Sequence, residues 1–194
     1  MLIGQRALVQ SHQSGISLLE VLVTVVIIAF GLLGMAGLQS KTQVAGIESF
    51  QRVQAALLAA DMGERINANR AQAGNYVAGG AIGTGDNQPA DCTALALGST
   101  RDLCEWSHAL KGSGEKAGGA NVGSMQGGLG CITQVQAPNP ASGVCTPGIY
   151  LITVAWQGMH QTIEPASTCG QNLYGSAGYR RALSMQVSVG LPSC

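Results

Sequence analysis

A single carboxylate, Glu20, stands inside an otherwise apolar run, residues 16–38, reading ISLLEVLVTVVIIAFGLLGMAGL. A charge at the centre of a membrane costs about 2.5–3.5 kcal/mol on insertion scales; Glu20 lies near the end of the run, where the cost is lower, yet it still calls for a partner or for snorkelling to the interface. The other residues able to do chemistry are scattered. The chain contains no Gly-x-Ser-x-Gly and no His-Glu-x-x-His, and His108 and His160 read as polar surface residues. Residues 80–85, GAIGTG, lack the preceding strand and the following helix that a dinucleotide loop requires. Asp86, Asp91 and Asp102 do not have the spacing of an EF-hand. The expectation is a non-enzyme with no cofactor and no metal.

Six cysteines, Cys92, Cys104, Cys131, Cys145, Cys169 and Cys194, all lie beyond the first third of the chain, and no Cys-x-x-Cys occurs. Wide, even spacing in a glycine-rich region fits disulfides formed in an oxidising compartment rather than a zinc site. Six cysteines allow fifteen pairings. Closing the shortest loops favours neighbours: Cys92 with Cys104, Cys131 with Cys145, and Cys169 with Cys194. Charges balance, ten basic against ten acidic residues, and the basic ones are dispersed, so no surface for a phosphate backbone is expected and nucleic acid is excluded as a partner.

The elements that carry these residues follow from periodicity. The run 16–38 spans roughly 34 Å as a helix, enough for a hydrocarbon core of about 30 Å. It is longer than a signal-peptide core and lacks an Ala-x-Ala ending. Gly31, Gly34 and Gly37 recur every third residue, either as a thinned helix face or as ordinary membrane-helix glycines. Residues 39–73 contain no proline and continue the helix as an extracytoplasmic stem until Gly74. Two apolar stripes mark this stem, Phe50, Val53 and Leu57 on one and Val44, Leu58, Met62 and Ile66 on the other, with Gln54, Asp61 and Arg65 between them. Either one stripe covers a sheet and the other meets neighbouring chains, or both form one broad core face with Asp61 and Arg65 paired on the surface.

Residues 74–194 form the remaining, globular domain. Residues 102–110 read as a short helix capped by Thr100 or Asp102 and ended by Gly112, with Trp106 as a packing anchor. Strands are expected at 130–135, 149–156 and 182–189, the last alternating Leu183, Met185, Val187 and Val189 against Ser184, Gln186 and Ser188. Consecutive strands joined by turns favour an antiparallel sheet with its dry face on the stem, an α+β fold.

Gly15 followed by apolar Ile16, with Glu20 fifth after the glycine and an unbroken apolar helix beyond, resembles the class III signal of type IV prepilins and pseudopilins. Ile16 stands where phenylalanine is usual, and the chain has Gly37 near the place where many major pilins have a proline. The resemblance implies residues 1–15 as a leader, cleavage between Gly15 and Ile16 by a prepilin peptidase, N-methylation of Ile16, and a register role for Glu20 against a neighbour's amino group. It implies a type IV pilin-like fold with a transmembrane part at 16–38, inserted in the inner membrane with the N-terminus cytoplasmic and the C-terminal domain periplasmic before reaching the pilus. Residues 58–70, LAADMGERINANR, with Cys104-Glu105-Trp106 and Val154-Ala155-Trp156, are similar to minor pilins of the type IV pilus modification class. That similarity implies partnership with other minor pilins and the major pilin in priming or modifying pilus assembly, with the tip as one location. A minor pseudopilin of type II secretion and a tip adhesin share the same stem.

Overall fold

The computed structural model describes residues 15, 17–77, 79–123 and 125–191. The chain divides into two compact units, Met1–Gln43 and Val44–Cys194.

One helix, α1 (Leu18–Ala68), runs through both. In the first unit its composition is that of a membrane span: it is long and apolar enough to cross a bilayer, and the most apolar window is wholly unburied. In the second unit α1 buries Gln51, Ala55, Ala59, Met62, Gly63 and Ile66 on one face. Spacings of three and four residues place these on a single stripe. Small residues at three of the positions let strands approach the helix closely. A β-carbon on Gly63 would sit 3.0 Å from Val187 Cγ2 and 3.2 Å from Met185 Cε.

α-Helix ends at Ala68, short of the expected Gly74, and gives way to 3-10 turns over Arg70–Tyr76 broken at Gln72. Asn67 and Asn69 are weak helix formers. The Tyr76 hydroxyl then lies 3.4 Å from the Arg65 carbonyl and donates to Asp102.

The sheet has the order β1 (Ile82–Gly83), β4 (Leu129–Gln136), β5 (Gly148–Gln157), β6 (Arg180–Val189), antiparallel throughout. The three long strands extend the expected ones by one or two residues. A helix, α2 (Ser99–Leu110), and a two-stranded ribbon of β2 (Lys116–Ala117) and β3 (Ala120–Asn121) lie between β1 and β4 in sequence. The ribbon turns at Gly118-Gly119, both at positive φ, the pairing that a tight two-residue turn favours. α2 starts three residues earlier than expected, after Gly98 at φ 110°, so Asp102 lies in its first turn instead of capping it.

Ile132, Tyr150, Ile152, Val154, Trp156, Val187 and Val189 form the dry face, which meets the buried stripe of α1. Trp106 of α2 completes this core, its Nε1–H donating to the Leu58 carbonyl at 2.9 Å. The opposite sheet face carries a smaller cluster of Leu129, Ala155, Cys169 and Tyr174 under the long β5–β6 connection. A long apolar N-terminal helix packed on a small antiparallel sheet, with disulfide-braced loops, is a type IV pilin-like α+β fold.

Candidate functional site

At the start of α1, Gly15 is exposed and non-helical. The Ser17 side-chain oxygen accepts from the Glu20 N–H at 3.3 Å, and the Ser17 carbonyl accepts from it at 3.0 Å. Ser17 therefore caps the helix, and Ser17-Leu18-Leu19-Glu20 carries the Ser-x-x-Glu pattern of a capping box, the local signal from which this cap is readable. The cap holds Glu20 in the first turn, where the helix dipole favours an anion. Thr24 donates its hydroxyl to the Val21 carbonyl at 2.8 Å, so it adds no unpaired polar group to the apolar run. A β-carbon on Gly31, Gly34 or Gly37 would meet nothing within 4 Å. Ile16, residues 1–14 and Cys194 lie outside the described residues.

Within the second unit, the stripe Phe50, Val53 and Leu57 is exposed at 56%, 55% and 65%. Ile47 joins it at 46%. At 100° per residue these four lie on the side of α1 opposite Ala55, Ala59 and Ile66. Met62 and Ile66 of the other stripe are buried, and Leu58 packs partly against the core. The reading in which only one stripe covers the sheet is the one observed.

The comparison with known protein families decides the character of the N-terminus. Residues 10–36 match the prokaryotic N-terminal methylation motif. Gly15, Ile16 and Glu20 all fall inside the matched stretch. This is the type IV pilin-like prepilin signal, and it implies processing by a prepilin peptidase, membrane anchoring and assembly with other pilins. No curated protein and no solved structure matches the chain.

Electrostatics fix the second unit around two nodes. Arg65 Nε donates to Asp61 at 3.0 Å, and its Nη1 donates to Asp102 at 3.1 Å and Glu105 at 2.7 Å. Burial alone would lower the Arg65 pKa, but the hydrogen bonds to Glu105 and Asp61 outweigh it and hold the guanidinium above its usual value. The same environment pushes Tyr76 up to about 12, through burial and then its hydrogen bond to Asp102. The expected helical pair of Asp61 and Arg65 is thus one edge of a larger cluster tying α1 to α2. At the second node, one Glu48 oxygen accepts from Arg181 Nη2 at 3.1 Å and from the Met159 N–H at 3.2 Å, with His160 Nδ1 at 3.1 Å. Asp86 pairs with Lys111 and accepts from the Gly83 N–H at 2.8 Å. Burial would raise the Asp86 pKa, but these partners hold it below the usual carboxylate range. Asp91 accepts from the Thr93 N–H at 2.8 Å and caps the turn Cys92–Ala94.

Disulfides depart from the expected pairing at one point that changes two bridges. Cys92 is bonded to Cys104, as the shortest loop suggested, but Cys131 is bonded to Cys169, which rules out both Cys131 with Cys145 and Cys169 with Cys194. Cys131 sits opposite Thr153 on the outer sheet face, and the Cys169 disulfide sulfur lies 3.7 Å from the Thr153 carbonyl, so the β5–β6 connection passes directly over Cys131. Cys145 is disulfide-bonded as well. The ligand atoms of Cys92, Cys104 and His108 cluster within 4.8 Å. The two sulfurs are joined, however, which leaves no thiolate to hold an ion, and His108 Nε2 lies 2.8 Å from the Pro89 carbonyl.

Proposed function

We propose that this chain is a minor pilin, of the type IV pilus modification (PilV) kind, which joins other minor pilins and the major pilin to prime or modify pilus assembly. The observation that carries the reading is the methylation motif at residues 10–36 leading directly into α1. Two further features support it. The exposed stripe Ile47, Phe50, Val53 and Leu57 continues the apolar character of α1 beyond the membrane span, as a helix packed among other helices requires. The segments of the downstream resemblance also converge: Leu58 accepts from Trp106, Arg65 pairs with Glu105, and Trp156 is buried in the same core.

The proposed mechanism needs no catalysis by this chain. Cleavage after Gly15 frees the Ile16 amino group, a cation beside an apolar helix. Glu20 offers the complementary charge to the amino group of an adjoining subunit. In a dry helix bundle the pair is specific for register, because any other stagger leaves a charge unpaired. The disulfides support a periplasmic location for the second unit and later a place on the pilus.

Substituting Glu20→Ala tests this assignment. Insertion, cleavage and folding should persist, since removing the carboxylate lowers the transfer cost. Presence in sheared filaments or in complexes with partner minor pilins should fall by orders of magnitude, as losing one member of a buried pair costs about 3–5 kcal/mol. Wild-type incorporation of the variant would contradict the proposed pairing, and recovery of the chain in secretion complexes instead of pili would move it to the pseudopilins.

A further inference from the structure

At 100° per residue Gln54 falls between Phe50 and Ile47 around α1, on the exposed stripe, and Leu58 falls just beyond Ile47 toward the core. The end of α2 and the loop after it meet these two residues and leave a crevice of about 240 Å³. One wall is Gly112 packed backbone to backbone on Gly123, where a β-carbon on Gly123 would lie 2.4 Å from Gly112 Cα. The same loop brings Glu115 to the crevice, its N–H donating to the Gly112 carbonyl at 3.2 Å and its carbonyl accepting from the Val122 N–H at 2.8 Å. A wall held by its own hydrogen bonds before any contact reduces the ordering cost of association.

Three properties define the occupant. Gln54 Oε1 is buried and has no hydrogen-bond partner among the described residues, so a donor entering the crevice would satisfy it. Glu115 is exposed and pairs with no basic group among the described residues, and no Lys, Arg or His lines the crevice. Covering it with an apolar, neutral or acidic group would strand the carboxylate, whereas a cationic donor serves the amide oxygen and the carboxylate together. Leu58 and the glycine backbones offer an apolar passage for the stem of a long side chain whose charge sits at its end. A lone carboxylate with one amide is a poor ligand set for calcium.

We propose that this crevice receives a lysine or arginine side chain of a neighbouring pilin subunit, which donates to Gln54 Oε1 and pairs with Glu115. This pairing rests on the reading of the chain as a pilin subunit and adds the chemistry of the partner that lies along the stripe. Apolar area attracts without direction, while a charge pair at its edge selects which subunit fits and at what stagger.

The test measures each variant in cells that assemble pili, as the quantity of the chain in sheared filaments normalised to membrane abundance. Gln54→Lys and Glu115→Lys should each lower incorporation at least tenfold, whereas Gln54→Glu, of the same size as the native residue, should keep it at or above the wild-type level. A β-carbon on Gly114 would meet nothing within 4 Å, so Gly114→Phe should leave the urea midpoint unchanged while its ring fills the crevice and lowers incorporation at least tenfold. Zero-length carbodiimide coupling of wild-type filaments, followed by peptide mapping, separates the two cations. An isopeptide bond from Glu115 to a lysine of another pilin identifies lysine, and the same variant pattern without coupling identifies arginine. Wild-type incorporation of Gln54→Lys and Glu115→Lys overturns the proposal and leaves the pilin reading standing. A loss for Gln54→Glu as large as that for Gln54→Lys overturns it too, because charge would then play no part. Absence of the wild-type chain from filaments overturns both.

Discussion

Replacing Phe50, Val53 and Leu57 together with glutamine separates folding from assembly. All three project from α1 on the face opposite the sheet, and each retains more than half of its exposure in the isolated chain. Glutamine is as good a helix former as leucine and better than valine, and exposed substitutions ordinarily move stability by less than about 0.5 kcal/mol each. The unfolding free energy should therefore change by under about 1.5 kcal/mol, with no loss of helical signal. Assembly is a different matter. Fully burying such a side chain is worth roughly 1.5–3 kcal/mol, so covering the remaining half of three of them contributes roughly 3–4 kcal/mol, or two to three powers of ten in an association constant. The assay pairs urea unfolding of the processed chain in detergent with its quantity in sheared filaments, normalised to membrane abundance. Unchanged stability with incorporation reduced at least a hundredfold is the expected outcome. A large fall in stability would mean that the stripe is core, and undiminished incorporation would mean that this face meets no neighbour.

Gly130→Ala should unfold the second unit more readily, because the new β-carbon would lie 2.1 Å from Trp106 Cη2 and 2.3 Å from Cζ3, forcing the buried indole from its place beneath Leu58. Overpacking of this kind costs about 1–3 kcal/mol or more, read as a lowered urea midpoint, and Gly130→Ser should behave alike. Asp86 sets an acid dependence: its pKa is lowered on folding from the reference value of 3.8, so its contribution is fully present above that value and is lost as pH falls below it toward the folded pKa. Stability measured between pH 6 and pH 2.5 should fall less steeply for Asp86→Asn than for wild type, and parallel curves would remove Asp86 from the account.

The parts of this structure legible in the sequence are those governed by period and by run length. The apolar stretch with Glu20, the alternation from Leu183 to Val189 and the antiparallel order all follow from spacing alone. What escaped are charges and cysteines whose placement depends on distant chain. Arg180 and Arg181 precede the strand expected at 182–189 and carry no role in that pattern, yet both are buried, Arg180 among the carbonyls of the loop over the outer face and Arg181 against Glu48 from the helix. Neither partner is near in sequence. Short loops close more cheaply, which favours Cys145 as the partner of Cys131, but the advantage over the observed Cys169 bridge is only roughly 1 kcal/mol on the loop-entropy scaling. Sheet register, which sets Cys131 opposite Thr153 beneath that loop, easily outweighs it. The two-residue β1 carries too little pattern to be seen.

The central claim is that residues 10–36 are a working prepilin signal. Intact-mass and N-terminal peptide analysis of the chain recovered from membranes of cells that contain a prepilin peptidase tests it most directly. The expected product is a mature chain that begins at Ile16, carries one methyl group on its α-amino nitrogen and retains the whole apolar helix. A chain beginning beyond residue 38, as a conventional signal peptidase would leave it, or one left uncut after Gly15, would contradict it.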